Sequence, residues 1–214
     1  MILQKFGGTS VGGPEPIRRL GEIVRRALPR GPVVVVSAVG GVTNRLIRLT
    51  ELARSAAAWE PELEAITKAH EELVLDLDLD AGILGSLPSE LADLVRGIAL
   101  VTECTPRTLD AAASFGERFS ARIVAAPLAR IGIRSVALDA WDAGLVTDAR
   151  FGGARPLPES EASIRRALAE VAGVPVITGY VGKSRTGEIT TLGRGGSDFS
   201  AAIFGAALGA EEIQ

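Results

Sequence analysis

The sequence opens with a short apolar run and a glycine turn, Ile2-Leu3-Gln4-Lys5-Phe6-Gly7-Gly8-Thr9-Ser10-Val11. Residues 2–6 are typical of a short strand, and the glycines that follow are typical of a tight turn. Pro14 and Pro16 then favour a helix start, since the first turn of a helix tolerates a residue without a backbone N–H. The stretch therefore predicts a strand, a loop and a helix in succession, which is the repeating unit of an α/β fold.

The same order recurs along the rest of the chain. Val33 to Val36 is a continuous β-branched run, typical of a strand buried on both faces, and it leads into a second glycine turn at 39–44. Helical patterns are expected from about residue 45, over most of 62–104, and at 111–131, 160–171 and 197–208, and further strands at 133–138, 174–178 and 188–192. This alternation predicts an α/β sandwich with a largely parallel sheet. Its ligand site should lie at the carboxyl ends of the strands, where we expect the three glycine loops of the chain, at 7–13, 39–44 and 192–196.

The composition limits the classes of partner. With 47% hydrophobic and 23% charged residues, the 214-residue chain can bury a sizeable core. A net charge of -3 and dispersed basic residues give no electrostatic footprint for nucleic acid, so we expect no nucleic-acid partner. The sequence shows no secretory signal and no apolar stretch that would cross a membrane. We expect a cytoplasmic protein that binds small molecules.

Cysteine and histidine are each present once. The single Cys104 excludes an internal disulfide framework and a multi-cysteine zinc site, and fits a reducing compartment. His70 is the only histidine, which removes most histidine metal chemistry, so we expect no metal site built from the protein alone. Because Glu71 and Glu72 follow it on a charged helix, we expect His70 to be solvated rather than catalytic.

The first glycine loop carries the chemistry of a phosphate site. Gly7 and Gly8 expose backbone N–H donors, and Lys5 near the end of the strand can neutralise the charge of a phosphoryl group. A tight turn beside a surface lysine is the alternative interpretation of the same residues.

The second phosphate-like loop is Leu192-Gly193-Arg194-Gly195-Gly196-Ser197-Asp198. Its glycines give access to the backbone, and Arg194 can bind a carboxylate or phosphate through two parallel hydrogen bonds. Ser197 or Asp198 could instead serve as the cap of the next helix. A cap needs neither three glycines nor an arginine, whereas an anion at a helix N-terminus would use all of them.

Two familiar nucleotide motifs are excluded. The segment ending in Gly182-Lys183-Ser184 resembles a P-loop, but the position five residues before Gly182 holds Ile177 instead of the required glycine. The glycines near the N-terminus also miss the spacing of the dinucleotide fingerprint. A nicotinamide-dependent oxidoreductase therefore has no support.

A third segment, Ser114-Phe115-Gly116-Glu117-Arg118-Phe119-Ser120-Ala121, places a glycine inside an otherwise helical stretch. Such a glycine costs about 1 kcal/mol relative to alanine, which predicts that another group approaches closely there. Glu117 could accept hydrogen bonds from a substrate ammonium. Alternatively it could pair with Arg118 or Arg122, or be solvated.

The three segments Lys5 to Val11, Ser114 to Ala121 and Leu192 to Ala201, in this order and at these separations, resemble the signatures of the aspartate kinase family. Connecting segments at 105–108, 138–144 and 176–180 are also similar, so the resemblance extends along nearly the whole chain. It implies the amino acid kinase fold, a three-layer αβα sandwich. It also implies transfer of the γ-phosphoryl group of ATP, with Mg2+, to the side-chain carboxylate of L-aspartate.

The resemblance implies roles for individual residues. Lys5 would stabilise the transferring phosphoryl group and Asp198 would organise the catalytic groups. Aspartate would be held by Thr43, Glu117, Arg194 and Ser197. The phosphate side of the nucleotide would meet Lys5, Gly7, Gly8, Thr9, Ser10, Gly195 and Gly196.

The sequence departs from the family at its end. In the family the chain continues beyond the position of Gln214 through a strand and an Asp-rich loop that bind adenine and ribose, and regulatory domains commonly follow. We therefore expect residues 1–214 to be the N-terminal, aspartate-binding portion of a kinase domain, with a sandwich truncated at its C-terminal side. Two alternatives stay open: another amino acid kinase, acting on glutamate or acetylglutamate, or an inactive binding or assembly module. The apolar helix at 111–126 could serve a homo-oligomer or the core.

Overall fold

The computed structural model describes every residue from 1 to 214. The strands are β1 (Ile2–Phe6), β2 (Pro32–Val36), β3 (Ser135–Leu138), β4 (Val146–Thr147), β5 (Val174–Thr178), β6 (Val181–Ser184), β7 (Ile189–Thr191) and β8 (Glu212–Ile213). The α-helices are α1 (Pro14–Ala27), α2 (Val42–Arg54), α3 (Glu60–Asp76), α4 (Leu87–Val101), α5 (Pro106–Arg130), α6 (Ser160–Ala169) and α7 (Gly196–Leu208). Short 3-10 turns lie at 28–30 and 81–84.

Five strands form the central sheet in the order β3-β5-β2-β1-β8, and every neighbouring pair is parallel. The valines of β2 explain why it is central. Val34 and Val36 pack into one buried cluster, whereas Val33 and Val35 pack into a second cluster on the opposite face. A strand with no polar face is stable only between two layers of helices.

The two helical layers are unequal. Helices α1 to α5 contribute to the larger cluster, and α6 and α7 contribute to the smaller one. The molecule is therefore a three-layer αβα sandwich around a parallel sheet, and this prediction is confirmed. Helix α5 is buried along most of its length, so its apolar character belongs to the core. None of the helices combines the length and the apolar character that a membrane span requires.

The expectation that strands and helices alternate throughout is wrong between residues 174 and 191, where β5, β6 and β7 follow one another without a helix. Strands β4, β6 and β7 form a separate small sheet, in which β6 and β7 are an antiparallel hairpin. The hairpin closes at Gly187, whose φ of +95° favours glycine, and the buried hydroxyls of Thr147 and Thr190 lie 2.6 Å apart across the sheet. The third glycine loop, at 192–196, therefore follows a strand of this small sheet and not a strand of the central parallel sheet.

The expectation that His70 is solvated is also wrong. His70 shares the inner face of α3 with Ile66 and Leu73, because residues three or four apart lie on one side of a helix. Its ring lies 4.6 Å from that of Phe119, and Nδ1 donates to the carbonyl of Ile66 at 2.8 Å. Burial lowers the pKa of the imidazole, so the ring is a neutral core residue, while Glu71 and Glu72 face outward.

Candidate active site

The three glycine loops meet at one cleft of about 690 Å³. The cleft lies beyond the carboxyl ends of β1 and β2, the position expected for a ligand in a parallel sheet. Most residues singled out from the sequence line it, namely Lys5, Gly8, Thr43, Glu117, Arg194, Gly195, Gly196, Ser197 and Asp198. Side chains separated by up to 193 positions in the chain therefore face a single volume.

The first two loops touch through their backbones. The N–H of Gly40 donates to the carbonyl of Gly8 at 3.2 Å. A Cβ built at Gly8 would lie 2.8 Å from the carbonyl oxygen of Ala38, which is closer than real Cβ atoms come to another atom. Gly8 is therefore required by close packing of the second loop, in addition to its place in a turn.

Lys5 and Asp198 form an ion pair at the edge of the cleft, with Nζ and Oδ1 2.7 Å apart. Lys5 stands one residue before the end of β1, and Asp198 lies in the first turn of α7. The pair places the Lys5 ammonium beside the N-terminal end of a helix. The unpaired backbone N–H groups there, like the ammonium, would favour a bound anion.

The start of α7 is not capped by a side chain. Gly195 is the N-cap residue, with a left-handed φ of +67°, and neither Ser197 nor Asp198 accepts a capping bond. The alternative interpretation of these two residues as a helix cap is therefore wrong. Gly196 is required by packing, because a Cβ there would lie 2.6 Å from Cδ2 of Tyr180.

Glu117 is a buried acid that faces the cleft, with an exposed fraction of 3%. Its Oε1 accepts the backbone N–H of Ala38 at 3.1 Å, whereas its Oε2 has no hydrogen-bond partner. Burial raises the pKa of this carboxyl to about 8, although the Ala38 N–H acts against the shift. The free site thus offers an uncompensated oxygen atom of the kind that a cation would satisfy.

The arginines that follow Glu117 do not neutralise it. Arg118 pairs with Glu90 at 2.9 Å, and Arg122 pairs with Asp139 at 3.0 Å. The alternatives in which Glu117 pairs with an arginine or is solvated are therefore wrong. The predicted close approach at Gly116 is present, since a Cβ there would lie 2.7 Å from Cβ of Ala38.

Arg194 and Thr43 occupy other parts of the cleft wall. Arg194 is exposed and forms neither an ion pair nor a hydrogen bond within the protein. Thr43 lies half-buried in the first turn of α2, which follows the second glycine loop. The guanidinium is consequently free for a ligand, in contrast to those of Arg118 and Arg122 on α5.

Three predicted phosphate-loop residues do not line this cleft. Thr9 and Ser10 line a separate pocket of about 220 Å³ beside α1. Gly7 lies next to the lysine, and a Cβ there would be 3.5 Å from Nζ of Lys5. Within the first loop, only Lys5 and Gly8 face the main cleft.

The cleft also contains residues that sequence reasoning missed, among them Ser37, Asn44, Gly152 and Tyr180. Asn44 is the last residue of the glycine turn at 39–44 and Ser37 lies two residues before it, so the turn was a usable signal for both. Tyr180 has a φ of +67°, which is rare for a residue with a side chain. Tyr180 belongs to the segment 176–180 that resembles the family, but no sequence pattern indicated that Tyr180 or Gly152 lines the cleft.

The acidic residues of the cleft bear on metal binding. No group of three or more His, Cys, Asp or Glu side chains is arranged to hold a metal ion. Asp198 is the exposed carboxylate of the cleft, and it is engaged by Lys5. This arrangement fits a cation that arrives on phosphate oxygens and keeps most of its water, as Mg2+ usually does.

Comparison with known proteins gives consistent relatives. Aspartokinase 1, chloroplastic, from Arabidopsis thaliana is 37% identical over 221 residues, which cover 99% of this chain and 39% of the relative. The aspartokinase of Geobacillus stearothermophilus is 33% identical, with 99% and 41% covered. The chain thus spans about 40% of the length of these relatives.

A solved structure agrees with the fold. The crystal structure of E. coli aspartokinase III in complex with aspartate and ADP matches with a TM-score of 0.83 and 28% identity, over 100% of this chain and 48% of that one. The profile of the amino acid kinase family matches residues 1–214. With its αβα sandwich and glycine-lined cleft, the chain belongs to the amino acid kinase family.

Proposed function

We propose that this cleft binds L-aspartate and the phosphates of ATP and supports phosphorylation of the aspartate side chain to 4-phospho-L-aspartate, the first step toward lysine, threonine and methionine. The observation that carries the proposal is the buried, unpartnered Oε2 of Glu117 in the same cleft as Lys5 and the unpaired Arg194. As part of this proposal, residues 1–214 form the aspartate-binding portion of the kinase domain. Relatives named aspartokinase at 31–37% identity support it.

On the acceptor side, each charged group of the amino acid would meet a group of opposite character. Arg194 offers two parallel N–H donors for the α-carboxylate. Glu117 would bind the α-ammonium, whose arrival compensates the burial that now keeps the carboxyl protonated. The hydroxyls of Thr43 and Ser197 add neutral contacts. The side-chain carboxylate would then be left to face Lys5.

On the donor side, the phosphates would meet charge and backbone donors. Lys5 would stabilise the transferring phosphoryl group, and Gly8, Gly195 and Gly196 would admit the phosphate oxygens close to backbone N–H groups. An aspartate side-chain oxygen would bond to the γ-phosphorus as the bond to the bridging oxygen breaks and ADP leaves. Such transfer depends mainly on positioning and electrostatic stabilisation. The roles of Gly7, Thr9 and Ser10 stay predictions.

The exposed Asp198 would contribute to a site for Mg2+ when the nucleotide is bound. The ion would supply charge neutralisation on the phosphate oxygens. Asp198 would also hold Lys5 in place through their ion pair at 2.7 Å. A cytoplasmic location and self-association stay predictions.

The decisive experiment is hydroxylamine trapping with the purified protein, ATP, Mg2+ and L-aspartate. Aspartyl hydroxamate that depends on both substrates would support the proposal. Reactions with L-glutamate and N-acetyl-L-glutamate test the other amino acid kinase activities, and a reaction without acceptor measures ATP hydrolysis. Hydroxamate from glutamate but not from aspartate would contradict the substrate assignment. Binding of aspartate without turnover would favour the binding-module alternative.

A further inference from the structure

Asp110 is a buried carboxylate outside the cleft, near the start of α5, with an exposed fraction of 3%. Thr191 donates its backbone N–H to Oδ2 at 2.8 Å and its hydroxyl to Oδ1 at 2.9 Å. The N–H of Gly152 lies 2.9 Å from Oδ2 and 3.1 Å from Oδ1. Asp110 therefore joins α5 to the end of β7 and to the turn at 149–153.

Both partners of Asp110 lead directly to the cleft. Thr191 is the last residue of β7, and Arg194 follows three positions later. Gly152 lines the cleft, and Gly193 packs against it, since a Cβ at Gly193 would lie 3.2 Å from the carbonyl oxygen of Gly152. The N–H of Ala154 donates to the carbonyl of Thr191 at 2.8 Å and closes the link. The loop that carries Arg194 is thus held by two segments, at Thr191 and at Gly152, and both segments bond to the carboxylate of Asp110.

Helix α5 connects this anchor to the opposite wall. Asp110 and Glu117 are seven residues apart, so they lie on the same face of the helix and about 10 Å apart along its axis. Glu117 faces the cleft itself, whereas Asp110 acts through Thr191 and Gly152. Burial raises the pKa of Asp110, and the donors from Gly152 and Thr191 act in the opposite direction by stabilising the ionised form.

We propose that Asp110 is a positioning residue that fixes the 192–196 loop and thereby sets the separation of Arg194 from Glu117 across the cleft. The inference rests on the proposed function in one respect, namely that Arg194 and Glu117 take the α-carboxylate and the α-ammonium of the substrate. An unanchored loop would present the guanidinium over a range of positions, and part of the binding free energy would be spent on ordering it.

The test compares Asp110→Asn with Asp139→Asn. The first change puts an amide NH2 group against the donors of Thr191 and Gly152, which can no longer all be accepted. The second is a matched control, because Asp139 is also a buried carboxylate, accepts bonds from Arg122 and does not line the cleft. Hydrogen exchange of the ligand-free proteins reports on the loop, and calorimetry with L-aspartate reports on the site.

We expect amide exchange at 150–153 and 192–196 to be about tenfold faster or more in Asp110→Asn and unchanged in Asp139→Asn. We expect the Kd for L-aspartate to rise about tenfold in Asp110→Asn. Adding Arg194→Ala should then have less effect than it has in the wild type, because the two residues act as one unit. Unchanged loop exchange in a folded Asp110→Asn protein would overturn the proposal.

Failure of the proposed function is distinguishable from failure of this inference. If the wild type does not bind L-aspartate but Asp110→Asn still frees the loop, the substrate assignment fails and the anchor stands. If Asp110→Asn does not fold, Thr191→Val replaces it, because this change removes the hydroxyl bond to Oδ1 and keeps the backbone N–H bond to Oδ2. It should speed exchange at 192–196 by a smaller factor, and unchanged exchange there would overturn the proposal equally.

Discussion

The ammonium of Lys5 lies 2.7 Å from a carboxylate oxygen of Asp198, so the end of β1 is joined to the first turn of α7 at the mouth of the cleft. The Asp198 side chain is 74% exposed. Exposed ion pairs contribute about 0–1 kcal/mol to stability. The pair is therefore poorly explained by stability and better explained by a charge that must be held in one place.

Replacement of Lys5 by methionine is expected to remove turnover while leaving the fold intact. The loss of an electrostatic group that stabilises a transition state typically lowers kcat by about 100-fold or more. The Kd for L-aspartate should rise only modestly, since the role proposed for Lys5 is to stabilise the transferring phosphoryl group. Hydroxamate formation and thermal unfolding measure the two effects, and a Lys183→Met variant controls for loss of a lysine outside the cleft. Turnover that survives Lys5→Met would remove the role assigned to this residue.

The fold was largely predictable because it is encoded in local patterns. The β-branched run at 33–36 and the glycine turns at 7–8 and 40–41 placed two strands and the loops that follow them, and the structure confirms a parallel sheet between helical layers. The small sheet was not predictable in this way. Its strands are two to four residues long, and β6 coincides with the segment that resembles a P-loop.

The role of Asp110 and the burial of His70 were not predictable from the sequence for the same physical reason, since both depend on tertiary contacts. Asp110 bonds to groups 42 and 81 positions away in the chain, and no periodicity within α5 distinguishes it from a helix-start acid. His70 follows the opposite pattern, because its charged neighbours suggested exposure while its register placed it in the core. Tertiary contacts of this kind decide burial, and a single sequence reports them only indirectly.

Glu117→Gln is expected to stabilise the ligand-free protein at alkaline pH. The folded protein holds the Glu117 proton up to a pKa of about 8, whereas the ordinary value is near 4.5. The stability that this proton confers is complete below about pH 4.5 and is lost as pH rises through 8. Glutamine does not titrate, so at pH 8 the variant should be about 1–3 kcal/mol more stable than the wild type.

Urea unfolding at pH 5, 6.5 and 8 measures this difference. Glu103→Gln is the control, because Glu103 is exposed and makes no bond within the protein. The advantage of Glu117→Gln should grow with pH, and an advantage that is constant across the three values would contradict the assigned pKa.

Binding of L-aspartate is expected to release a proton from Glu117. At pH 7 the free carboxyl is mostly protonated, since its pKa is about 8, and contact with the ammonium favours the ionised form. Affinity should therefore increase from pH 6 to 8 and then level off. Calorimetry in buffers of different ionisation enthalpy measures the released protons directly. The release should disappear in Glu117→Gln, and equal release in both proteins would assign the proton to another group.

Arg194→Ala is expected to weaken aspartate binding without a change in stability. Arg194 is exposed and has no partner in the protein, so its removal breaks no interaction that stabilises the fold. Loss of a charge-assisted bidentate contact corresponds to about a 10- to 100-fold rise in Kd. Arg194→Lys keeps the charge but not the planar guanidinium, so its Kd for L-aspartate should lie between those of the wild type and Arg194→Ala. Arg166→Ala, another exposed and unpaired arginine, should leave Kd unchanged; an equal effect of both alanine variants would point to general charge.

Gly116→Ala and Gly97→Ala are expected to act in opposite directions, although both glycines lie inside helices. A Cβ at Gly97 of α4 meets nothing within 4 Å, so alanine there should stabilise by about 0.5–1 kcal/mol. A Cβ at Gly116 would lie 2.7 Å from that of Ala38, so alanine there should destabilise by about 1–3 kcal/mol. Displacement of Ala38 would also weaken its bond to Glu117 at 3.1 Å and hence aspartate binding. Urea unfolding and calorimetry test both effects, and equal stabilisation by the two substitutions would show that α5 does not depend on this close approach.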